Sequence, residues 1–305
     1  MVATQTVPAT NWEVDNYLPE STCPICRCES VPCFEKHGHC IRQCVQCHHR
    51  FFRPENVSNY VDEQYGDDYF FGADRGYQNY LDEEALQRIS ARHYTQVLAK
   101  YCEPGKHLDI GAACGFLNRE FSDAGWLSRG IEANSTMAKI AYDKYDADVS
   151  VERWETFDSS VRFDLLTMIQ IISHLLDPVA AIEKALNAVS PGGFLLIECW
   201  DRNSMAAKMF GQKWHEYNPP NVLHWFDRAG LRKLCESIGF QHVTYGRPKK
   251  RVRMDRGLAV LNYAMERSVA SRIISAPLRL IPKDTVLPYF FDDAFWMLFR
   301  SPCDR

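Results

Sequence analysis

The chain has 305 residues with 46% hydrophobic content, enough for one main domain and an appended module. Its formal net charge of -4 argues against nucleic acid as a dedicated partner, because duplex-binding proteins usually carry a basic excess. No run approaches the roughly 18 apolar residues of a membrane span, and residues 1–20 lack the basic start and apolar centre of a signal peptide. We therefore expect a cytoplasmic protein, in which twelve cysteines indicate metal or free thiols rather than disulfides.

Two C-x-x-C pairs near the start of the chain predict a zinc ribbon. They are Cys23 with Cys26 and Cys44 with Cys47, and seventeen residues separate the two pairs. Each pair puts two sulfurs on one side of a turn, so two facing turns make a tetrahedral thiolate cage for Zn²⁺. Because all four ligands are cysteines, the metal should be structural, and residues 1–52 should need it to fold. The same region holds spare candidate ligands, which are Cys28, Cys33, Cys40, His37 and His39.

Residues 53–81 are rich in aromatic rings, which a flexible linker usually lacks. One interpretation is a lid over a ligand cleft, with Tyr77 or Tyr80 facing a cation, since ring faces attract positive charge. The alternative is that these rings only attach the first module to the main domain, which we place at residues 82–305. That domain should begin with an amphipathic helix at 82–101.

Residues 106–132 have the pattern of strand, tight turn, helix and strand. The small residues from Gly111 to Gly115 allow backbone N–H groups at the following helix N-terminus to approach an anionic group. Asp109 and Glu132 end the two strands and would flank that ligand, placed to bind an amino group and a ribose diol. A dinucleotide site is the alternative, but the bulky Phe116 stands where its third glycine would fall.

Further along, predicted helices alternate with predicted strands. The helices are expected at 134–144, 177–189 and 227–238. The strands are expected at 148–151, 163–169 and 194–199, the last after a turn at 191–193, followed by an antiparallel edge pair at 241–245 and 294–300. This alternation predicts an α/β fold with a doubly wound, mostly parallel sheet of seven strands. Ligands bind beyond the carboxyl ends of such strands, which brings Asp109, Glu132, the residues after Val151 and the turn from Gln170 to His174 to one crevice.

The turn resembles the first motif of the class I S-adenosylmethionine-dependent methyltransferases, hydrophobic-Asp-hydrophobic-Gly-x-Gly-x-Gly. Here it runs from Leu108 to Gly115, with Ala113 in the place of the middle glycine. Three further segments are similar to the later motifs of the superfamily, at 163–164, 172–178 and 186–197. Segments 69–80 and 201–226 are similar to a bacterial branch with an N-terminal zinc ribbon, associated with glycan, sugar or secondary-metabolite modification.

This resemblance implies a Rossmann-like fold and S-adenosylmethionine as cofactor. The residues expected around the cofactor are Asp109, Gly111, Ala113, Gly115, Glu132, Trp154, Gln170, Tyr77 and Tyr80. The sequence departs from the branch at two positions: Arg153 stands where an acid often lies beside the adenine, and Val222 replaces a frequent histidine. Trp154 is therefore a candidate for stacking on the adenine.

Methyl transfer requires the lone pair of the acceptor to be held in line with the activated methyl group. A hydroxyl acceptor must also lose its proton, which calls for a base. His174 follows the fourth strand and is our first candidate. His215 and His224 follow the fifth strand and are the others. The alternative for His174 is a histidine that only satisfies backbone groups at a strand end.

Residues 247–291 are predicted to form a helical insertion, since so long a loop is unusual in a compact domain. The insertion opens with six basic residues between Arg247 and Arg256. One interpretation is a clamp for an anionic acceptor such as a nucleotide-linked sugar, because arginine matches phosphate geometry. The alternative is a solvated cationic loop.

The sequence thus favours a methyltransferase acting on a small oxygen-bearing acceptor, a sugar, glycan or secondary metabolite. Three alternatives stay open. The first is carbon or nitrogen methylation of a nucleotide-linked sugar, and the second is RNA methylation in which the ribbon binds the RNA. The third is a non-catalytic binding module, motivated by Ala113, Arg153 and Val222.

Overall fold

The computed structural model describes residues 19–57, 59–72, 77, 79–254, 257–258, 281–282, 285–289 and 291–304. Within these ranges the strands are β1 Ser30–Lys36, β2 His39–Cys44, β3 Arg50–Phe51, β4 Lys106–Ile110, β5 Leu127–Glu132, β6 Val149–Val151, β7 Phe163–Ile169, β8 Val189–Trp200, β9 His224–Trp225, β10 Gln241–Gly246, β11 Arg251–Arg253, β12 Val286–Pro288 and β13 Ala294–Arg300. The α-helices are α1 Tyr60–Gln64, α2 Asp67–Phe71, α3 Glu84–Leu98, α4 Phe116–Asp123, α5 Ser135–Tyr145, α6 Pro178–Ala188, α7 Met205–Phe210 and α8 Arg228–Ile238. Short 3-10 turns cover Tyr80–Glu83 and Gly211–Lys213.

Seven strands form the main sheet in the order β10-β13-β8-β7-β4-β5-β6. Strands β8, β7, β4, β5 and β6 are mutually parallel, and β13 runs antiparallel to both of its neighbours. Each parallel strand is followed by a crossover that contains a helix or a long loop, as parallel pairing requires. The prediction of an α/β fold with a seven-stranded, mostly parallel sheet is confirmed.

Side chains that alternate along the central strands cover the two faces of this sheet. On one face Leu165, Leu196 and Leu298 pack with Tyr94 of α3 and Phe121 of α4. The opposite face carries Leu166, Leu195, Met297 and other apolar residues, packed against α6 and α8. Burial on both faces explains why these strands read as nearly continuous apolar runs.

A second sheet joins the cysteine-rich region to the main domain. Its order is β1-β2-β3-β9, so a strand from residues 224–225 completes the sheet of residues 30–51. The pairing is antiparallel and places Arg50 opposite Trp225 and Phe51 opposite His224. The sequence did not predict this connection, because a two-residue strand leaves no periodic pattern.

The turn predicted at 191–193 lies inside β8 instead of preceding it. Gly192 has a φ of 74°, and the β7 partner shifts from Val189 opposite Phe163 to Phe194 opposite Leu165. The Pro-Gly-Gly signal therefore marks a wide bulge, at which Ser301 N donates to Gly193 O. A bulge and a turn share the same local residues, and only the paired neighbour distinguishes them.

The base of the insertion predicted at 247–291 is a two-stranded antiparallel sheet, β11 with β12. Helices were predicted for this insertion, but its central part lies outside the described residues. Arg256, the last of the six basic residues, also lies outside them. Within the described ranges, no helix has both the length and the apolar character that crossing a bilayer demands.

Candidate functional site

The turn after β4 adopts the backbone conformation that its small residues allow. Gly111, Ala113 and Gly115 all have positive φ angles, of 76°, 48° and 76°. A Cβ atom on Gly111 would lie 2.2 Å from Cδ1 of Ile171, and one on Gly115 would lie 2.6 Å from the Cβ of Ala147. Gly111 thus keeps the cleft side of the turn clear, whereas Gly115 lets α4 approach β6 and its neighbours.

Glu132, at the end of β5, is tied directly to this turn. Its Oε2 accepts from Ala113 N at 2.9 Å, and its Oε1 accepts from Asn134 N at 2.8 Å. The side chain is only 7% exposed, and burial raises the pKa of Glu132 although both amides favour its charged form. The glutamate is therefore held in one orientation at the edge of the cleft.

Asp109, near the end of β4, terminates a hydrogen-bond chain through the sheet. Thr167 Oγ1 donates to Asp109 Oδ1 at 2.5 Å, and His107 Nε2 lies 3.0 Å from Thr167 Oγ1. His107 Nδ1 lies 2.8 Å from Ser128 Oγ. Because the threonine proton goes to Asp109, the chain is consistent with Ser128 donating to His107 and His107 donating to Thr167.

Burial shifts the pKa values of both titratable groups in this hydrogen-bond chain. It raises the pKa of Asp109 to about 7, with Thr167 lowering the value and the Glu132 charge raising it. It lowers the pKa of His107 to about 3, so this imidazole is neutral at physiological pH. Asp109 is consequently an acid whose charge a nearby cation would stabilise.

A cavity of about 210 Å³ opens above this turn. Eight of the nine residues predicted around the cofactor line it: Asp109, Gly111, Ala113, Glu132, Trp154, Gln170, Tyr77 and Tyr80. Gly115 is the ninth and instead packs behind the turn. Tyr80 stacks on Phe116 with ring centroids 5.7 Å apart, and Tyr77 meets Tyr80 edge-on at 4.8 Å. Rings of the 53–81 segment therefore form a wall of the cavity, and Tyr60 of the same segment packs between the cysteine-rich region and the main domain, so the lid stays a prediction.

Trp154 is more deeply buried than its predicted stacking role suggests. It is 3% exposed, its Nε1 donates to Ala181 O at 3.2 Å, and it stacks with Phe157. Only part of the indole can face the cavity.

The acids that sequence reasoning missed at this place are Glu152 and Glu155, which line the same cavity on either side of Arg153. Arg153 itself pairs with Asp62 at 2.6 Å.

A second cavity of about 320 Å³ continues from the first. The two cavities share the side chains of Tyr69, Tyr77, Gln87, Ser90, Ile169, Gln170 and His174. His174 therefore stands where a molecule in one cavity would meet a molecule in the other. The second cavity is also lined by His215 and Val222, from the segment after β8.

The ring of His174 is held in one tautomer. Its Nδ1 lies 2.7 Å from Asn221 O, a contact that requires a proton on Nδ1 because two acceptors would repel. Tyr65 Oη donates to the same carbonyl at 2.6 Å and lies 2.9 Å from Nδ1. Nε2 consequently carries the lone pair and has no bonded partner in the described part of the chain. Burial lowers the pKa of His174, which keeps the ring neutral.

The other two histidine candidates have different surroundings. His215 lines the second cavity and lies 3.3 Å from Glu216 through Nε2. His224 is 2% exposed and lines neither cavity; its Nε2 is 2.9 Å from Leu175 O and its Nδ1 is 3.3 Å from His49 Nε2. Burial lowers the pKa of His224 to about 3. The expectation that His224 faces an acceptor is wrong, because its ring is enclosed between His49 and Leu175 O and lines neither cavity.

A polar cluster at the end of β8 was missed by sequence reasoning. Glu198 is buried, and its carboxylate accepts from Tyr94 Oη and from Gln170 Nε2, the latter at 2.6 Å. Lys250 Nζ lies 3.0 Å from the same carboxylate and 3.8 Å from the ring centroid of Trp200. Glu198, Lys250 and Trp200 all line the second cavity. An acid inside an apolar strand was the only signal available, and its partners are remote in sequence.

The four predicted metal ligands lie together, with their Sγ atoms all within 4.8 Å of one another. Three of the separations are 3.3 to 3.6 Å, close to the roughly 3.8 Å edge of a tetrahedral zinc-thiolate site with 2.3 Å bonds. Hydrogen bonding to the neighbouring Cys23 sulfur lowers the pKa of Cys47, which favours the thiolate form that binds a metal ion. The donor set therefore fits a tetrahedral metal ion, and the described cysteines are free of disulfides.

Comparison with known proteins identifies relatives of the main domain. The sequence model of a family described as "Methyltransferase domain" matches residues 77–245. A ubiquinone biosynthesis O-methyltransferase of Saccharophagus degradans is 25% identical over 209 residues, which cover 61% of this chain and 80% of the relative. A 1,6-didemethyltoxoflavin-N1-methyltransferase of Burkholderia thailandensis, solved with S-adenosylhomocysteine, has a TM-score of 0.52 at 14% identity and covers 89% of this chain and 99% of that one.

A further solved structure has the same fold. Magnesium protoporphyrin IX methyltransferase of Synechocystis, solved with S-adenosylmethionine, has a TM-score of 0.50 at 13% identity, with 81% of this chain and 99% of that chain covered. At such identities the two solved structures establish likeness of fold alone.

Proposed function

Because this chain belongs to the methyltransferase-domain family and is an S-adenosylmethionine-dependent methyltransferase, we propose that it methylates a hydroxyl group of a small acceptor. The observation that carries the proposal is His174, which lines both cavities and whose Nδ1 is bound to Asn221 O, so that the lone pair is on Nε2. A fixed neutral imidazole at that place is suited to remove a hydroxyl proton. The alternative of a non-catalytic binding module is set aside, since the chain is an enzyme.

The first cavity is the proposed cofactor site. Asp109 would bind the amino group of the cofactor and Glu132 its ribose diol, while the turn from Gly111 to Ala113 lies beside its amino-acid portion. Tyr77 and Tyr80 would face the sulfonium with their rings. Trp154, with Glu152 and Glu155, would border the adenine, and Gln170 would separate the cofactor from the acceptor.

The proposed reaction follows from these positions. Bound S-adenosylmethionine supplies an electrophilic methyl group. The acceptor oxygen would attack that methyl carbon, and the carbon–sulfur bond would break with its electron pair going to sulfur, which leaves a neutral thioether. His174 Nε2 takes the hydroxyl proton, and the ring becomes an imidazolium that Asn221 O and Tyr65 stabilise through Nδ1. The proton then leaves to water as the product departs.

Burial sets the pH range in which this base can work. Because the pKa of His174 is lowered, the imidazole is unprotonated and competent down to a more acidic pH than a solvent-exposed histidine. Tyr65 cannot substitute for it, since burial raises the pKa of Tyr65 well above its ordinary value. At saturating cofactor, kcat should therefore be constant across neutral pH and fall only on the acidic side.

The second cavity is the proposed acceptor site. Its aromatic walls, Tyr69, Tyr77, Trp200 and Tyr289, suit the ring of a sugar or of a planar secondary metabolite. The name of the Saccharophagus relative, an O-methyltransferase, supports oxygen as the acceptor atom. An anionic acceptor is the second candidate. Arg251 lines the cavity and favours it, but Lys250 is already paired with Glu198.

The four-cysteine cluster is the proposed structural zinc site, and residues 1–52 are the proposed ribbon module of a cytoplasmic enzyme. The ribbon is an unsuitable grip for RNA, because three of its cations contact the main domain. Arg27 pairs with Asp177 at 3.1 Å, Lys36 donates to Gln212 O, and Arg50 donates to Tyr217 Oη at 2.6 Å. Residues 53–81 are the proposed lid, and 82–305 the catalytic domain with its insertion.

A labelled-methyl screen tests the proposal. The enzyme is incubated with methyl-labelled S-adenosylmethionine and panels of sugars, nucleotide sugars and phenolic or alcoholic natural products, and the labelled atom is identified by NMR. His174→Gln should lower kcat by a factor of about 10²–10⁴, the range for a general base. His215→Gln, which alters the same cavity, is the matched control and should retain most of the activity. Labelled nitrogen or carbon, or an active His174→Gln, would contradict the proposal.

A further inference from the structure

The ribbon and the proposed base are connected by one short segment of the main domain, residues 221–225. On one side of this segment Phe52 N donates to Leu223 O at 2.8 Å, and β3 pairs with β9. On the other side Leu223 N and His224 N both donate to Ser173 O, at 2.9 and 3.0 Å. Ser173 directly precedes His174, and the segment begins with Asn221, whose carbonyl fixes the His174 ring.

The metal ligands lie at the other end of the same network. Cys44 N donates to His49 O at 2.9 Å, and His49 lies two residues beyond the ligand Cys47. The ring of His49 reaches His224 Nδ1 at 3.3 Å, and His224 Nε2 reaches Leu175 O at 2.9 Å. Two parallel routes, one through backbone and one through histidine rings, therefore link the cysteine cluster to residues 173–175.

We propose that the ribbon is a positioning element for catalysis, which fixes the tautomer and orientation of His174 by holding residues 221–225 in place. The inference rests on the proposed role of His174 and adds a purpose for the module that precedes the catalytic domain. A residue whose Nδ1 is anchored to a carbonyl presents a defined lone pair at Nε2, and it loses this definition if the carbonyl moves. The cysteine cluster would thus act on the reaction without touching either substrate.

The contacts of residues 221–225 indicate that the ribbon is more than a peripheral addition to the main domain. Within the described residues, β9 has only two residues and belongs to the ribbon sheet, not to the seven-stranded sheet. The order of 221–225 therefore depends on β3 from one side and on Ser173 from the other. Arg50 adds a third connection by donating to Tyr217, which packs in the same apolar cluster as Leu223 and Trp225.

Hydrogen exchange of the full-length protein tests this coupling without any acceptor. After the metal is removed with a chelator, or in Cys44→Ser, we expect the amides of Leu223 and His224 to exchange at least about tenfold faster. Amides of β4 and β5, on the far side of the seven-stranded sheet from β13, should keep their rates. Cys33→Ser removes an exposed ribbon cysteine outside the cluster and is the matched control, with unchanged metal content and exchange.

The tautomer of His174 is a second readout, and a general increase in the flexibility of the chain would not change it. In protein labelled with ¹⁵N-histidine, His174 should show a single Nδ1-protonated ring when the metal is present and a tautomer mixture when it is absent. Its signals are identified by their loss in His174→Gln. An unchanged tautomer together with unchanged exchange at Leu223 and His224 would overturn the proposal.

A second variant covers the case in which the metal-free chain unfolds. His49→Leu keeps all four cysteines and removes the hydrogen-bonding ring that contacts His224, while an apolar side chain still packs against Phe51 and Phe226; it should speed exchange at His224 with metal content intact. Normal exchange at His224, combined with global unfolding of the metal-free protein, would also overturn the proposal.

Calorimetry with S-adenosylhomocysteine on the same samples separates the proposed cofactor site from the proposed coupling between the ribbon and His174. Failure of the intact protein to bind it would refute the cofactor site, while the exchange data would still decide the coupling.

Discussion

Removal of one buried hydroxyl should make cofactor binding strongly pH-dependent. Thr167 Oγ1 donates to Asp109 at 2.5 Å, and the pKa of Asp109 is already raised to about 7 by burial. A hydrogen bond to a charged group is worth about 1.5–3 kcal/mol, and each pKa unit corresponds to about 1.4 kcal/mol. Thr167→Val should therefore raise the pKa of Asp109 further, by about one to two units, because only the charged form loses a donor.

The consequence for affinity can be calculated. If only ionised Asp109 binds the amino group, the apparent Kd is inversely proportional to the fraction of protein in which Asp109 is ionised. With a pKa shift of about 1.5 units, the ratio of the Kd of Thr167→Val to that of the wild type falls from about 30 at pH 6 to about 16 at pH 7 and about 4 at pH 8. The ratio cancels the titration of the ligand itself, since both proteins meet the same ligand.

Isothermal titration calorimetry with S-adenosylhomocysteine at these three pH values measures the ratio. Thr167→Ser retains the hydroxyl and should give a ratio near one throughout. Thr167→Val also leaves His107 Nε2 without its acceptor, so its stability should fall, and thermal unfolding confirms that each sample is folded. A ratio that does not change with pH, or an equal effect of Thr167→Ser, would refute the role assigned to Asp109.

Three further predictions concern the turn, a buried acid and the proposed base. Gly111→Ala should destabilise the protein by at least about 1–2 kcal/mol in urea unfolding, because its φ is positive and its Cβ would meet Ile171. Glu120→Gln should cost about 2 kcal/mol at pH 7, since two arginines of α3 bond to this buried carboxylate. Tyr65→Phe removes a donor to Asn221 O and should lower kcat about tenfold with little change in KM.

Each of these predictions has a discriminating control. Gly111→Ala combined with Ile171→Ala should relieve the clash but retain the backbone strain, so full recovery would contradict the φ argument. The arginine bonds lower the pKa of Glu120 despite the opposing effect of burial. The contribution of the charged Glu120 to the free energy of unfolding is therefore fully present above its unfolded-state pKa of about 4.3. It is lost as the pH falls through the lower pKa of the folded state. A Glu120→Gln deficit that persists at pH 2 would contradict this assignment. An unchanged kcat in Tyr65→Phe would remove Tyr65 from the mechanism.

Local patterns were sufficient to predict most of the fold. Strand β7 was predicted with its observed bounds, and α8 to within one residue, because both depend on periodicity and capping within a short window. The turn of small residues likewise marked the cavity in which Asp109 and Glu132 meet. Where the prediction failed, as at residues 191–193, the decisive partner was distant in sequence.

The proposed acceptor site was far less accessible to sequence reasoning. Glu198 looks like an anomaly in an apolar strand, and its partners Tyr94 and Lys250 come from opposite ends of the domain. The histidines show the same limit. His174, His215 and His224 are chemically equal in sequence, but the carbonyl of Asn221 and the ribbon strand distinguish them in space.

The ends of the insertion are fixed next to each other, so the length of the segment between them can vary at little cost in stability. Arg253 and Val286 are paired neighbours on β11 and β12, so the ends of the intervening segment are one strand spacing apart. Lengthening a loop between such fixed ends costs little, about 0.6 kcal/mol for each doubling of its length. Lys250 and Tyr289, at the open ends of this ladder, border the second cavity. Natural variation or laboratory grafting between these two strands would therefore change the chain next to the proposed acceptor site, while the proposed cofactor site, which these strands do not line, remains as it is.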